Sequence, residues 1–258
     1  MLTRIESGDN SKLKLVRKLK NKKARDDEKK FVIEGFNLVE EAVCRNVDIE
    51  FILVSDFFNA GSFIDKCLDK AIPVLEVPSA LFEKLTDAEF GVGILAVVRR
   101  HDIRLEPDKD DALLVLDRVQ DPGNMGTMIR TAVAAGYAGI IAVKGTVDVY
   151  SAKVLRATAG MIFDIPIVYV DNAAELKELL APSGHRLAVT VPTGGRAYYE
   201  EDLDKGVALV IGNEGNGVSD EVLSMADIRV TIPMCGEIES LNAAVSAAIL
   251  MYERMRNG

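Results

Sequence analysis

The chain has 258 residues, of which 48% are hydrophobic, so it can bury the core of one large domain or of two small ones. No run approaches eighteen consecutive apolar residues, and the N-terminal stretch MLTRIESGDN lacks the apolar core of a signal peptide, so we expect neither a membrane span nor secretion. The net charge of −9 argues against a protein coated in nucleic acid.

Cysteine and histidine are scarce. Cys44, Cys67 and Cys235 lie far apart in the sequence and form neither a disulfide framework nor a CxxC metal site, so they indicate a reducing cytoplasm. Only two histidines are present, His101 and His185, and no cysteine lies close to either in the sequence. We therefore expect no zinc site and no Ser-His-Asp triad.

The first distinctive segment is KLKLVRKLKNKKAR, residues 12–25, which carries eight basic residues and no acid. A short basic segment on an acidic chain indicates a local contact with a polyanion. The alternative is a solvated amphipathic helix with Leu13, Val16 and Leu19 turned inward. The segment alone does not decide between the two.

Strands and helices alternate after this segment, which predicts an α/β sandwich. The charged run RRHDIRLEPDKDD, residues 99–111, contains a proline and reads as a linker. We therefore place the first domain at 1–105 and the second at 106–258. The predicted strands of the first domain are FVIEG, IEFILVS, IPVLEV and GILAVV, with helices at FNLVEEAVCRN, around residues 61–70 and after Pro78.

The second domain restarts the alternation and predicts a parallel sheet covered by helices on both faces. Ligands bind beyond the carboxyl ends of the strands in such sheets. The predicted strands are ALLVLDRV, GIIAV, IPIVYV, RLAVTV, VALVIG and DIRVTIP, and the last helix is SLNAAVSAAILMYERM.

Three loops after these strands carry unusual residues, and the first is DPGN. Its Pro-Gly pair predicts a type II turn, and Asn124 is expected to cap the following helix. Arg130 lies one residue off the apolar stripe of that helix, with Gly126 a turn before it and Ala134 a turn after. The small residues would leave room for a guanidinium to reach a ligand; the alternative is a surface or interhelix salt bridge.

The second loop is IGNEGNGVS, residues 211–219, whose three glycines let the backbone approach a ligand closely. It matches neither a dinucleotide-binding fingerprint nor a P-loop, which argues against an NAD-dependent dehydrogenase. Glu214 would repel phosphates and suits a ligand that carries positive charge. The alternative is a plain turn from strand to helix, capped by Ser219 or Asp220.

The third loop is IPMCGEIESLN, residues 232–242. We expect Ser240 to cap the final helix, which leaves Asn242 without a structural role in its first turn. The alanines of this helix permit close approach of the sheet or of an equivalent helix in a dimer. The residues predicted to form its buried stripe are Leu241, Val245, Ala248, Ile249 and Tyr252.

Together the loops resemble the SpoU (TrmH-like) branch of the SPOUT RNA methyltransferases, and the first domain, through FVIEGFNLVEEAV, resembles an L30e-like substrate-binding domain. Ser151–Gly160 is similar to another stretch of the branch, whereas Ala243-Ala244 departs from the usual Val-Ser after S-L-N. The matching motifs are Asn124-Met-Gly126-Thr-Met-Ile-Arg130, Gly212-Asn-Glu214-Gly-Asn-Gly217, Pro233-Met-Cys-Gly236 and Ser240-Leu241-Asn242.

The resemblance implies an S-adenosylmethionine-dependent 2′-O-ribose methyltransferase that acts on structured RNA, with ribosomal RNA favoured. It also implies a parallel-sheet SPOUT domain with a deep trefoil knot, a homodimer through the C-terminal domain, and no metal. The implied cofactor-binding residues are Thr190, Gly212, Asn213, Ile232, Met234 and Leu241, and the implied catalytic residues are Arg130, Asn124, Glu214, Ser240 and Asn242.

The resemblance also guides the chemistry, because a ribose hydroxyl is barely ionised at neutral pH and must be positioned and deprotonated. Arginine is an awkward base, since its pKa is above ~12. We therefore expect Arg130 to bind the ribose or an adjacent phosphate bidentately and to stabilise the forming alkoxide. Asn124 would brace its loop, and Glu214 would hold Arg130 or a substrate group.

Three other functions stay open at this point. The chain could methylate transfer RNA at the ribose, or it could be an RNA-binding protein without activity. It could also methylate a base, as other SPOUT branches do, although the N-x-G-x-x-x-R motif points to ribose.

Overall fold

The computed structural model describes residues 3–59, 61–86, 93–101, 103–236 and 240–256. Up to residue 99 its elements are β1 (Thr3–Arg4), α1 (Ser11–Lys18), α2 (Lys22–Glu28), β2 (Lys30–Glu34), α3 (Phe36–Cys44), β3 (Ile49–Ser55), α4 (Gly61–Asp69), β4 (Val74–Val77), α5 (Ser79–Phe82) and β5 (Ile94–Arg99).

The elements from residue 112 onward are β6 (Ala112–Asp117), α6 (Pro122–Ala134), β7 (Gly139–Val143), α7 (Ala152–Thr158), β8 (Ile167–Val170), α8 (Ala173–Leu180), β9 (Arg186–Thr190), β10 (Arg196–Ala197), β11 (Val207–Gly212), α9 (Asp220–Leu223), β12 (Ile228–Thr231) and α10 (Ala243–Glu253). Short 3-10 helices lie at Met161–Phe163, Tyr198–Glu200 and Arg254–Arg256. No helix among the described residues has both the length and the apolar character to cross a membrane.

The contacts divide the chain into two compact units. The first comprises Met1–Asp102 together with Tyr150–Phe163, and the second comprises Ile103–Val149 together with Asp164–Gly258. The division after residue 102 lies close to the boundary expected from the charged run. The grouping of Tyr150–Phe163 with the first unit has no counterpart in the sequence expectations.

The first unit contains a mixed sheet in the order β1-β4-β3-β5-β2. Strands β2 and β3 run antiparallel to β5, whereas β4 runs parallel to β3 and to β1. All four strands predicted for this domain are present, and helices pack beside them. The prediction of an α/β unit is therefore confirmed for the described residues.

Helices α1 and α2 form a basic hairpin whose inner face is apolar. Leu13, Val16 and Leu19 are buried, as the amphipathic alternative predicted. Arg25 is also buried, and its Nη1 donates to the carbonyl oxygens of Leu19 and Lys20 at 2.7 and 2.8 Å. These bonds close the turn between the helices. Lys12 is partly buried over the ring of Phe51, and the other lysines of the segment are exposed.

Helix α7 belongs to the first unit because it packs on β2. Arg156 of this helix lies 3.5 Å from the buried carboxylate of Glu34, and Arg45 donates to the carbonyl of Gly160 at 2.7 Å. The apolar spacing of α7 predicts a helix, but it does not say which sheet the helix covers.

The second unit contains a sheet in the order β10-β12-β9-β11-β6-β7-β8, and every pair in it is parallel. The six predicted strands are present, together with the two-residue strand β10. Strand β6 is buried throughout because it lies between β11 and β7. The parallel α/β fold is confirmed, and the trefoil knot stays a prediction.

The N-cap of helix α6 lies three residues earlier than predicted. Asp121 is its N-cap, accepting from the backbone N of Asn124 at 2.7 Å, so the expected type II turn and the Asn124 cap are wrong. The physical reason is that Pro122 suits the first helical position, where its missing N–H costs nothing. The side chain of Asn124 is thereby free for another partner.

Helix α10 buries mainly a different face from the predicted stripe, of which Ala248 and Ile249 are only partly buried. Ala244, Ala247, Leu250 and Met251 are buried, whereas Leu241, Val245 and Tyr252 are exposed. The helix is apolar on nearly all sides, so the spacing of apolar residues does not identify the inner face. Its small residues allow close packing on α6, with which it makes its most extensive interhelical contact.

Candidate active site

The carboxyl ends of β9, β11 and β12 and the start of α10 enclose a cavity of about 590 Å³. This volume lies within the usual range for a small-molecule site. All six residues predicted to bind the cofactor line it, and so do Glu214 and Ser240. The six are Thr190, Gly212, Asn213, Ile232, Met234 and Leu241. Residues 237–239 of the third loop lie outside the described residues.

The loop after β11 closes on itself. The backbone N of Asn213 donates to the carbonyl of Gly217 at 3.0 Å, and the return bond is 2.9 Å. A Cβ on Gly212 would lie 2.3 Å from the carbonyl carbon of Gly217 and from the nitrogen of Val218. Only glycine therefore permits this close crossing of two backbone segments, which forms one wall of the cavity.

The three loops meet through a chain of side-chain hydrogen bonds. Asn124 Nδ2 donates to Glu214 Oε1 at 3.0 Å, and Asn242 Nδ2 donates to Asn124 Oδ1 at 2.9 Å. The Glu214 carboxylate also accepts from the backbone N of Gln120 at 3.2 Å and of Asp121 at 3.1 Å. Asn124, Glu214 and Asn242, which were all predicted to be catalytic, thus lie in one hydrogen-bond network.

Asn242, and not Ser240, is the N-cap of α10. Its Oδ1 accepts from the backbone N of Ala244 at 2.9 Å and of Val245 at 3.2 Å. The prediction that Ser240 caps the helix and that Asn242 has no structural role is wrong. An amide has both an acceptor and a donor, so Asn242 can cap α10 and hold Asn124 at the same time, whereas Ser240 lies at the cavity wall.

Glu214 is ionised at neutral pH. Partial burial raises the pKa of its carboxyl, but hydrogen bonds from the Asn124 amide and from backbone amides outweigh burial and hold this pKa below its ordinary value. Among the described residues Glu214 does not hold Arg130, because its carboxylate accepts from residues 120–124 and from its own backbone amide. The other expectation, that it holds a substrate group, stays a prediction.

Glu214→Gln is expected to lower the free energy of unfolding at about pH 7, because the amide cannot accept all three hydrogen bonds as a carboxylate does. A carboxyl with a lowered folded-state pKa contributes stability above its unfolded pKa and loses it as pH falls through the folded pKa. The difference between wild type and variant should therefore shrink below about pH 4. Urea unfolding at both pH values measures it, and an equal difference at both would contradict this role of the charge.

Arg130 lies on the exposed side of α6 and does not line the cavity. Among the described residues it has no hydrogen-bond or ion-pair partner, so the alternative of a salt bridge within this unit is not realised. Gly126 is buried and Ala134 is exposed, so the two small residues do not flank Arg130 in the same way. The hydrogen bond from Asn124 to Glu214 thus connects the start of α6 to the cavity wall, and the guanidinium of Arg130 lies in solvent.

Sequence reasoning missed Asp117, the last residue of β6. Its side chain is fully buried and accepts from the backbone N of Ser219, so it holds the far end of the second loop. Asp117 pairs with Gly212 in the parallel register of β6 and β11. The only signal was an acid at the end of the apolar run ALLVLD.

The groups that line the cavity are of the kinds that would bind S-adenosylmethionine. Its wall combines apolar side chains such as Ile211, Ile232 and Leu250 with exposed backbone groups of the glycine loop, which fit an adenine and its ribose. Glu214, fixed by its hydrogen bonds, and Asp220 both line the cavity, and their negative charge is compatible with a cationic ligand. Among the described residues no cluster of histidine, cysteine and carboxylate side chains has metal-binding geometry.

Known proteins resemble this chain along nearly its whole length. A model of the SpoU rRNA Methylase family matches residues 111–252, and a model of the MRM3-like substrate binding domain matches residues 10–96. The chain is 38% identical to the 23S rRNA (guanosine(2553)-2'-O)-methyltransferase RlmP of Bacillus subtilis (strain 168), over 97% of this chain and 98% of that one.

Solved structures agree. The AdoMet-bound rRNA methyltransferase from Sinorhizobium meliloti is 31% identical and has a TM-score of 0.87, covering 99% of this chain and 98% of that chain. The SpoU methyltransferase AviRb from Streptomyces viridochromogenes, in complex with AdoMet, is 26% identical with a TM-score of 0.87, covering 96% and 98%. The family predicted from the three motifs is confirmed: the chain belongs to the SpoU rRNA methylase family.

Proposed function

We propose that the chain transfers a methyl group from S-adenosylmethionine to the 2′-hydroxyl of a ribose in ribosomal RNA. The observation that carries the proposal is the hydrogen-bond chain Glu214–Asn124–Asn242, which joins the helix of Arg130 to the wall of the cavity. The similarity to the RlmP enzyme along the whole chain supports ribosomal RNA as the substrate. An RNA-binding protein without activity would have no need of the cavity that the glycine loop, residues 211–219, forms with the neighbouring strands.

The backbone of Gly212, Ile232 and Leu241 would hold the cofactor, with Thr190, Asn213 and Met234 beside it. When bound, S-adenosylmethionine supplies a methyl group that its sulfonium charge already activates. The chain itself has to position the hydroxyl and exclude other acceptors. The second loop can do so because it is closed by the Asn213–Gly217 pair and anchored at Asp117.

Arg130 would bind the ribose or an adjacent phosphate through two N–H donors and stabilise the negative charge that develops on the hydroxyl oxygen. Its exposure and its lack of a partner among the described residues leave both donors available for RNA. Asn124 and Glu214 would act by fixing the start of α6, which sets the direction of the helix that carries Arg130.

The first unit would bind RNA, in the cytoplasm where ribosomal RNA is found. The outer side of the α1–α2 hairpin presents exposed lysines, and the acidic remainder of the chain would limit contacts to this face. Those residues are Lys14, Lys18, Lys20, Lys22 and Lys23.

Mass-spectrometric mapping of 2′-O-methyl groups in total RNA, from cells with and without the protein, tests the proposal. We expect one ribose methylation of 23S ribosomal RNA to disappear, with the guanosine named for RlmP as the first position to inspect. Loss of a base methylation, or of a transfer RNA modification, would contradict it. Unchanged RNA together with no binding of S-adenosylmethionine in calorimetry would identify a binding protein.

We also propose that the chain forms a homodimer through α10. Val245 and Tyr252 on this helix are about half exposed and, together with the exposed Leu241 just before it, form an apolar face beside the cavity. Such a face on a helix that already packs on α6 marks an interaction surface. A second copy would fit it, because a two-fold axis brings the same face of two helices together.

Val245→Glu is expected to convert the dimer to a monomer without unfolding the chain, because this side chain is exposed within one copy. Sedimentation velocity measures the mass, and circular dichroism confirms the fold. Lys177→Glu, a charge change at an exposed position of α8, is the matched control and should leave the dimer intact. A wild type that sediments as a monomer at micromolar concentration would contradict the proposal.

A further inference from the structure

Arg118, directly after β6, has a backbone conformation that arginine rarely adopts. Its φ is 60°, in the left-handed region, which costs a residue with a Cβ roughly 1 kcal/mol. Strain of this kind persists only where the surrounding structure imposes it, and it concentrates at functional sites.

Two hydrogen bonds impose the conformation. The backbone N of Arg118 donates to Thr146 Oγ1 at 3.0 Å, and Thr146 in turn donates to the carbonyl of Leu116 at 2.9 Å. On the other side, Asn213 Nδ2 donates to the carbonyl of Arg118 at 2.8 Å. Arg118 is therefore fixed between the loop after β7 and the second loop, whose Asn213 lines the cavity.

The stem of the Arg118 side chain lies across Gly145. A Cβ at Gly145 would be 2.9 Å from Arg118 Cγ, and φ at this glycine is +100°, so only glycine leaves this path open. The guanidinium approaches one acid, since its Nε lies 3.5 Å from Oδ1 of the buried Asp117. That oxygen has no hydrogen bond within the described structure, so the contact is a long ion pair.

The two terminal nitrogens of Arg118 donate no hydrogen bond to the described residues, and 44% of the side chain is exposed. The left-handed backbone of Arg118 and the space left by Gly145 thus hold the guanidinium of Arg118 in solvent, at the carboxyl edge of the sheet. The contact with Asp117 does not by itself explain why the guanidinium is held in this position. A guanidinium that only paired with the buried Asp117 would turn two parallel N–H donors toward that carboxylate.

We propose that Arg118 binds a backbone phosphate of the RNA next to the methylated ribose and so fixes the register of the substrate strand. This inference rests on the proposed function, since it takes the RNA to lie over the cavity edge. Arg118 would act as a second cation together with Arg130, the one lying before and the other after the DPGN segment in the sequence. Its contribution is to RNA affinity and not to the chemical step.

Equilibrium binding of a 23S ribosomal RNA transcript, measured between about 50 and 200 mM salt, tests the proposal. Arg118→Gly suits the left-handed conformation and should keep the fold. We expect it to weaken RNA binding about tenfold and to reduce the salt slope by about one, with the dissociation constant for S-adenosylmethionine unchanged. Arg118→Lys should keep the salt slope, and Lys177→Ala, which removes the same charge on α8, should behave as wild type.

Arg118→Gly with a wild-type salt slope would overturn the proposal, as would weaker binding of S-adenosylmethionine in place of RNA. A separate assay measures methyl transfer by the wild-type protein to the same transcript and tests the proposed function. Absence of that transfer would contradict the proposed function, whereas the binding measurements decide the role of Arg118 in either case.

Discussion

Replacing Arg130 by alanine is expected to lower kcat about 10²- to 10³-fold, the usual loss when a donor to a developing oxyanion is removed. The dissociation constant for S-adenosylmethionine should stay within about twofold, because Arg130 does not line the cavity. Arg130→Lys should also be strongly impaired, since an ammonium group does not reproduce two parallel N–H donors. Single-turnover methylation of a 23S ribosomal RNA transcript measures the chemical step.

Thr127→Ala is the matched control for Arg130, because Thr127 is exposed on the same helix one turn earlier. It should react at the wild-type rate. Near wild-type activity in Arg130→Lys would exclude the bidentate contact, and full activity in Arg130→Ala would remove Arg130 from the reaction.

Gly212→Ala is expected to abolish detectable binding of S-adenosylmethionine. The added Cβ would lie 2.3 Å from backbone atoms of Gly217 and Val218, so the loop has to open and break the Asn213–Gly217 pair. Overpacking of this kind costs about 1–3 kcal/mol of stability. Isothermal titration calorimetry measures the affinity for S-adenosylmethionine. Thermal unfolding shows whether the substitution disrupts only the loop at residues 211–219 or the whole fold.

Gly215→Ala in the same loop is the comparison for Gly212→Ala. A Cβ at this position would meet only Asn213 Oδ1, at 3.7 Å, which is ordinary van der Waals contact. We expect its affinity for the cofactor to fall only a few-fold. Equal affinities of the two variants would show that the crossing at Gly212 does not shape the donor site.

The parallel sheet of the second unit could be predicted because its strands are apolar and β-branched and alternate with helices. The meeting of the three loops could not be derived from spacing alone. It was expected through the resemblance, and residues 124, 214 and 242 do share one hydrogen-bond network. Arg118 was missed because a left-handed arginine has no sequence signal comparable to that of glycine.

The helix caps were predicted less well, for a common reason. Asp121, Asn124, Ser240 and Asn242 are all good capping residues, so sequence preference does not choose among them. Tertiary structure chooses: Pro122 moves the start of α6 to Asp121, and the contact with Asn124 fixes Asn242 at the start of α10. The inner face of α10 was assigned wrongly because both of its faces are apolar.

A crystal structure of the chain with S-adenosylhomocysteine tests most directly whether the loops around residues 124, 214 and 242 build one methyl-transfer site. We predict that the ligand occupies the cavity lined by Gly212, Ile232 and Leu241, with the Glu214–Asn124–Asn242 bonds intact around it. A ligand bound anywhere else in the molecule, or one whose binding separates Asn124 from Glu214, would contradict that assignment.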